Sequence, residues 1–238
     1  MIPIGDNDSD RVRTPIVNYI LIGINILVFV FLQGMGGNEG FTLSYATVPG
    51  EILTGSDITT NGLGVTPVPV YFTLISAMFM HGSIAHLGGN MLYLWIFGDN
   101  LENVMGHLKY LIFYLVCGII ASLSHVVLSD FLNRDLLIPS LGASGAISGV
   151  LGGYLLLFPK NQVRVFIIRG VINVPAYVTL GLWIVMQLIS GWGMLGDEGS
   201  TGGVAYAAHI GGFIAGLVLV KFFAERNPVP ASTFKKSG

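Results

Sequence analysis

The sequence predicts an all-α integral membrane protein, a single polytopic bundle of six transmembrane helices with both termini in the cytoplasm. Three observations lead there. Of the 238 residues, 53% are hydrophobic and only 10% charged, whereas soluble domains carry about 25% charged residues. The apolar residues gather into six runs, each near the ~20 residues that a helix needs to cross a hydrocarbon core of ~30 Å. The basic residues then fall almost entirely on one side of those runs.

The first run, 16–33, follows a polar, acidic stretch that ends at Arg13. That stretch lacks the small-residue cleavage pattern of a signal peptide, so the first span is expected to stay in the mature protein. The connection 34–70 is long, has no Lys or Arg, and carries Glu39, Glu51 and Asp57. Residues 71–80 are apolar again. They either begin the second span, 82–98, or form a helix lying in the interface. The third span, 108–128, holds the single cysteine, Cys117, which excludes an intrachain disulfide. A shorter connection, 129–143, leads to the fourth span, 144–158. The fifth span is 176–192 and the sixth 204–224. Between them, 193–203 reads GMLGDEGSTGG and is expected to be mobile. Pro228 and Pro230 make the tail a poor helix. No internal repeat and no second domain stand out, so 1–238 is read as one domain.

Orientation follows from Lys and Arg, which favour the cytoplasmic side. Arg11 and Arg13 precede span one. Lys109 borders the second connection. Lys160, Arg164 and Arg169 lie in the fourth, and Lys221, Arg226, Lys235 and Lys236 end the chain. With six spans these all fall on one side and only Arg134 opposite; an odd number would scatter them. No basic block points to nucleic acid as a partner. The basic residues of the fourth connection set topology and are placed to touch membrane lipids.

Polar residues inside the spans carry the chemistry. Ser144 sits among small residues in Gly142-Ala143-Ser144-Gly145, at the start of the fourth span. Fifteen residues of helix reach only ~22 Å, so that end is expected to be recessed below the outer surface. Backbone at such depth must line a wet cavity or be buried in protein, and hydrolysis needs the water. His209 lies ~8 Å into the sixth span, which enters from the same face. His86 and Asn90, four residues apart on one face of the second span, lie at ~6 and ~12 Å. A serine hydroxyl is a weak nucleophile and wants a neighbouring base, most often histidine. A tetrahedral oxyanion wants preorganised donors. Asn90, His86 and the Ser144 backbone N–H can supply them. No Asp or Glu falls in a span near His209, which argues for a Ser–His dyad. Gly145, Gly149 and Gly153 recur every four residues, as do Gly212 and Gly216, and such faces let two helices approach closely. His81 is read as tying the first outer connection to span two. His107 and His125 are read as structural or solvated.

On these residues the sequence resembles the rhomboid intramembrane serine proteases over nearly all six spans. The motifs are His86-Leu87-Gly88-Gly89-Asn90 in span two, Gly142-Ala143-Ser144-Gly145 in span four, and Ala208-His209 with Gly212 and Gly216 in span six; His81 also matches. The resemblance implies a six-helix core without cofactor. It implies Ser144 as nucleophile, His209 as base, and His86, Asn90 and the Ser144 amide as the oxyanion hole, with Gly142 allowing close backbone approach. The implied partners are single-span transmembrane substrates, cut near the outer ends of their helices at small residues. The expected location is a prokaryotic cytoplasmic membrane; the sequence does not set an oligomeric state. Two positions depart from the family pattern. The first outer connection lacks the Trp-Arg pair common in the family. Ser148 stands where many members carry an aromatic ring against the catalytic histidine, so His209 is held either less firmly or by another group.

Other chemistries fit worse. A zinc protease wants His-Glu-x-x-His, which does not occur, and no metal site is expected. An aspartyl protease needs two carboxylates within the membrane, and the nearest, Asp99 and Asp197, fall in connections on this reading. The alternative of another class is a catalytically weak rhomboid-like protein that binds membrane helices. Its expected mark is a missing Ser or His, and both are present. A transporter would favour inverted repeats.

Overall fold

The computed structural model describes residues 2–195 and 203–225, apart from 8, 10 and 61. Residues 196–202, with Asp197, and the tail from 226, with Pro228, Pro230 and its basic residues, lie outside the described residues. The chain is mostly helical. Helix α1 (Ile16–Leu27) runs on through a π turn, Val28–Leu32. The short helices α2 (Glu39–Tyr45), α3 (Pro49–Thr54) and α4 (Thr73–Ser76) belong to the long first connection. Then come α5 (Ile84–Met105), α6 (His107–Phe131), α7 (Ser144–Leu157), α8 (Ala176–Leu195) and α9 (Gly203–Phe223). Among the described residues, α6 and α9 are long and apolar enough on their own to cross a bilayer. The apolar segment Val70–Phe79 does not prolong α5 but meets it at an angle of 81°. Large apolar side chains face outward on several helices, among them Phe31, Phe131, Ile189 and Trp192, as expected where the surrounding solvent is hydrocarbon.

Helix α7 forms the centre, with every residue from Gly145 to Tyr154 buried. Its neighbours are α9 on one side and α5 and α6 on others. The two glycine rows meet there. A Cβ on Gly212 would strike the Gly145 carbonyl oxygen, and one on Gly216 the Gly149 carbonyl oxygen. Backbone contact of that closeness leaves no room for any side chain.

Two features depart from the sequence reading. First, the fold is not wholly helical. Strands β1 (Ile2–Gly5), β2 (Gln162–Ile167) and β3 (Gly170–Pro175) form an antiparallel sheet in the order β1-β2-β3. In β2, buried Val163 and Val165 alternate with outward Gln162, Arg164 and Phe166, the period-two pattern of a half-buried strand. Second, α5 continues past 98 to Met105, so Asp99 lies in a helix and not in a connection. Its polar end is buried because the N-terminal arm satisfies it. Arg11 Nη1 meets Asp99 Oδ2 at 2.6 Å. The N–H groups of Val12 and Arg13 both donate to Asn103 Oδ1 at 3.0 Å.

Glu102 completes this brace. Fully buried, it accepts from the backbone N–H groups of Val17 (2.9 Å) and Asn18 (2.7 Å) and lies against His107 Nδ1. A helix N-terminus leaves such N–H groups without intrahelical partners, and here a carboxylate from another helix caps α1. Glu102→Ala is expected to lower the unfolding free energy by about 3 kcal/mol, because charged acceptors are lost and buried donors stranded. Unfolding in mixed micelles measures it; a change under 1 kcal/mol would mean that the cap contributes little.

The first connection is pinned from several directions. Gln33 is buried and reads His81 twice: the His81 N–H donates to its Oε1 at 2.9 Å, and its Nε2 donates to the His81 carbonyl at 3.1 Å. Thr47 and Ser140 exchange backbone hydrogen bonds. Glu51 is buried and accepts from Ile58 N–H at 3.1 Å; burial first, and then the neighbouring Asp57, push its carboxyl above the usual carboxylate value.

Candidate active site

Ser144 opens α7. The turn before it depends on Gly142, whose φ of +131° suits glycine and whose N–H donates to the Ala77 carbonyl at 2.8 Å. Standing in the first turn, the Ser144 N–H has no intrahelical acceptor and is free to face a ligand. His209 reaches it from α9: Nε2 lies 2.8 Å from Ser144 Oγ. The glycine rows make this possible, since they hold α7 and α9 at backbone contact one and two turns further along.

The imidazole is fixed on its other side. Nδ1 of His209 lies 2.7 Å from Gln187 Oε1 on α8. Trp183, one turn earlier on α8, sets its ring 6.1 Å from the imidazole, and Tyr206 of α9 stands edge-on at 6.3 Å. These groups hold His209 where Ser148 supplies no ring; the Ser148 hydroxyl instead donates to the Ser144 carbonyl at 2.6 Å. Sequence reasoning missed Gln187, Trp183 and Tyr206. The available signal was one amide side chain in the otherwise apolar run of α8, four residues from a tryptophan.

His86 and Asn90 come from the N-terminal end of α5. Ser83 caps that helix by accepting from the His86 N–H at 3.1 Å. The Gly82 N–H donates to His86 Nδ1 at 3.3 Å. A neutral imidazole that accepts at Nδ1 carries its proton at Nε2. The Cε1–Nε2 edge of the ring is turned toward Gly142: a Cβ there would meet both atoms at 2.9 Å. His86 therefore points a donor at the backbone beside Ser144. Asn90 Nδ2 is buried without a hydrogen-bond partner. His81 packs edge-on against His86, ring centres 5.0 Å apart, with both of its own ring nitrogens buried and unpartnered.

The groups surround open space. A cavity of about 340 Å³ is lined by His86, Asn90, Ser144, Ser148, Trp183 and His209 among others. A smaller one of about 40 Å³ touches Gly142, Ser144 and His209 from the other side. An apolar cavity of about 240 Å³ between α5, α8 and the sheet shares Tyr93 and Trp183 with the first. The arrangement can deprotonate a serine, receive a carbonyl and offer donors to the charge that develops on its oxygen.

Comparison with known proteins identifies the family. A family model described as Rhomboid domain matches residues 69–226. The chain is 30% identical over 200 residues to Rhomboid protein 1, mitochondrial, of Saccharomyces cerevisiae, covering 84% of this chain and 51% of that protein. It is 28% identical over 204 residues to Rhomboid protease GluP of Bacillus subtilis, covering 85% of this chain and 34% of that one. It is 29% identical over 155 residues to the human Presenilin-associated rhomboid-like protein, mitochondrial, covering 64% and 38%. The chain thus spans between about a third and about half the length of these curated relatives.

Proposed function

The chain belongs to the rhomboid family of membrane proteins, and from that membership we propose that it is an intramembrane serine endopeptidase whose Ser–His dyad hydrolyses peptide bonds in or near transmembrane helices. The observation that carries the reading is the 2.8 Å contact between His209 Nε2 and Ser144 Oγ. In the proposed reaction Ser144 Oγ attacks the scissile carbonyl carbon as His209 Nε2 takes the hydroxyl proton. The charge forming on the carbonyl oxygen meets His86 Nε2–H, Asn90 Nδ2–H and the Ser144 N–H. Collapse breaks the C–N bond, and His209 returns the proton to the leaving amine. Water, activated by the same imidazole, then releases the acyl group from Ser144.

We place all of 1–238 in one domain of six spans, α1, α5, α6, α7, α8 and α9, with both termini cytoplasmic in a prokaryotic cytoplasmic membrane. Supporting this, Arg11, Arg13 and Lys109 gather with Glu225 and the polar end of α5, whereas Arg134 lies on the connection that bonds to the first one. Single-span membrane proteins are the proposed substrates. Labelling the purified protein with a fluorescent fluorophosphonate tests the dyad: label is expected on the native protein and absent from Ser144→Ala and His209→Ala. Equal labelling of all three would place the reactive group elsewhere.

Asn90→Ala is expected to lower kcat by about 100-fold with a small change in KM, the usual consequence of removing one oxyanion donor. Steady-state cleavage of a reporter substrate reads it. An unchanged kcat would remove Asn90 from the oxyanion hole.

Helix α8 is the proposed movable side of the entrance. It packs against α9 but touches α7 little, and the cavities open between it and α5. The glycine-rich composition of 193–203 supports the same role for that connection. A short crosslink joining α8 to α5 is expected to abolish cleavage of a membrane-embedded helix while sparing fluorophosphonate labelling. Undiminished helix cleavage in the crosslinked protein would rule out lateral opening there.

A further inference from the structure

Resting on that reading, we infer that Gln187 is a positioning residue for the reaction, the third member of a Ser–His–Gln relay that fixes the tautomer of the base. The argument begins with the imidazole's two nitrogens. A neutral ring has one donor and one acceptor. His209 can accept the Ser144 proton at Nε2 only if its own proton sits on Nδ1. A ring in that tautomer needs an acceptor at Nδ1, and Gln187 Oε1 stands there at 2.7 Å. The amide oxygen thus selects the one tautomer in which the 2.8 Å Ser144–His209 contact is productive.

The choice of an amide also has a physical reason. Helices α7 and α8 contain no Asp, Glu, Lys or Arg. A carboxylate beside His209 would be a charge with no opposite partner until the imidazole is protonated, and burying an unpaired charge is costly. An amide oxygen is neutral at rest. When His209 takes the proton it presents the negative end of a dipole to the imidazolium. It does this from the same face of α8 that brings Trp183 against the ring, because the two residues are four apart.

The placement on α8 has a second consequence. Nucleophile and base come from α7 and α9, which are locked by glycine contact. The orienting acceptor comes from the helix with the looser packing. Displacement of α8 would withdraw Gln187 from Nδ1, so that the base is fully set only when α8 is seated.

The test compares the native protein with Gln187→Met, which keeps the length of the side chain and removes the acceptor, and Gln187→Glu, which keeps an acceptor oxygen. Three quantities are read: the rate constant of fluorophosphonate labelling, kcat against KM for a reporter substrate, and the His209 tautomer. The tautomer comes from nitrogen chemical shifts of histidine-labelled protein, with the signal assigned by its absence in His209→Ala. Gln187→Met is expected to slow labelling and kcat by about 10–100-fold, less than the ~10⁴-fold known for a mis-set tautomer in a carboxylate triad, with KM within twofold. Its His209 signal is expected to lose the pure Nδ1–H pattern. Gln187→Glu is expected to restore both rates to within a few-fold. Native rates in Gln187→Met, or an unchanged tautomer in it, would overturn the proposal, as would equal loss in both variants with the tautomer intact. If Gln187→Met does not fold, Gln187→Leu takes its place. Absence of labelling in the native protein would sink the protease reading instead, and the tautomer comparison would still decide the role of Gln187.

Discussion

His209→Ala is expected to lower kcat for a membrane-embedded helix by about 10⁴–10⁶-fold, and Ser144→Ala by as much. In the proposed dyad each residue depends on the other. The serine hydroxyl at its ordinary acidity is a poor nucleophile, and the imidazole forms no acyl intermediate without it. Residues that act as one unit are strongly non-additive. The double variant Ser144→Ala/His209→Ala should therefore be no slower than either single one. A residual rate above the uncatalysed background, of the order of 10³-fold, is expected from the donors that remain, His86, Asn90 and the backbone N–H at 144. KM should move little, since neither side chain supplies much of the surface that would hold a helix. Cleavage of a fluorescent single-span reporter in liposomes measures all four proteins. Multiplicative losses in the double variant would show that the two residues do not act together.

Gly216→Ala is expected to destabilise the protein by about 3 kcal/mol and to silence the site as well. One methyl group is a small change, and at most glycines of a helix it would add stability through backbone entropy. Here the new Cβ would run into the Gly149 carbonyl oxygen. Backbone cannot step aside as a flexible side chain can, so α9 must move off α7; forced overpacking of this kind costs about 1–3 kcal/mol, occasionally more. The same displacement carries His209 away from Ser144 Oγ. Gly181 on α8 is the control: nothing lies within 4 Å of a Cβ there, and Gly181→Ala should be neutral or stabilising by up to about 1 kcal/mol. Unfolding in mixed micelles compares the two. Equal midpoints would show that the α7–α9 contact relaxes without cost.

The contrast between these positions marks what could be read from the chain. A polar residue in an apolar run is expensive, so Ser144, His209, His86 and Asn90 stand out before any coordinates are known. A glycine every fourth residue names the face of a helix. Both signals are local. Gln187 was visible as an amide in an apolar run, but its partner lies 22 residues away on another helix, and no local spacing pairs them. The end of α5 was hidden for the opposite reason. Asp99, Asn100, Glu102 and Asn103 look like a connection when apolar residues are counted; they are helical and buried because Arg11, Arg13 and the start of α1 fold back to meet them. The aromatic wall of His209 illustrates the same limit. Position 148 holds serine, and the rings beside His209 are those of Trp183 and Tyr206, which lie on α8 and α9.

The sheet sets an order of events during biosynthesis. Ile2 and Pro3 pair with Phe166 and Val165, so once β1 is made it must wait for partners made some 160 residues later. At about 5–20 residues per second, that is a delay of roughly 10–30 s. Throughout it β1 has no sheet to join, while the helices up to α7 are already made. Strand β1 is therefore made before the helices and takes its place after most of them, and its docking closes the bundle only after α7, the helix of Ser144, has been made.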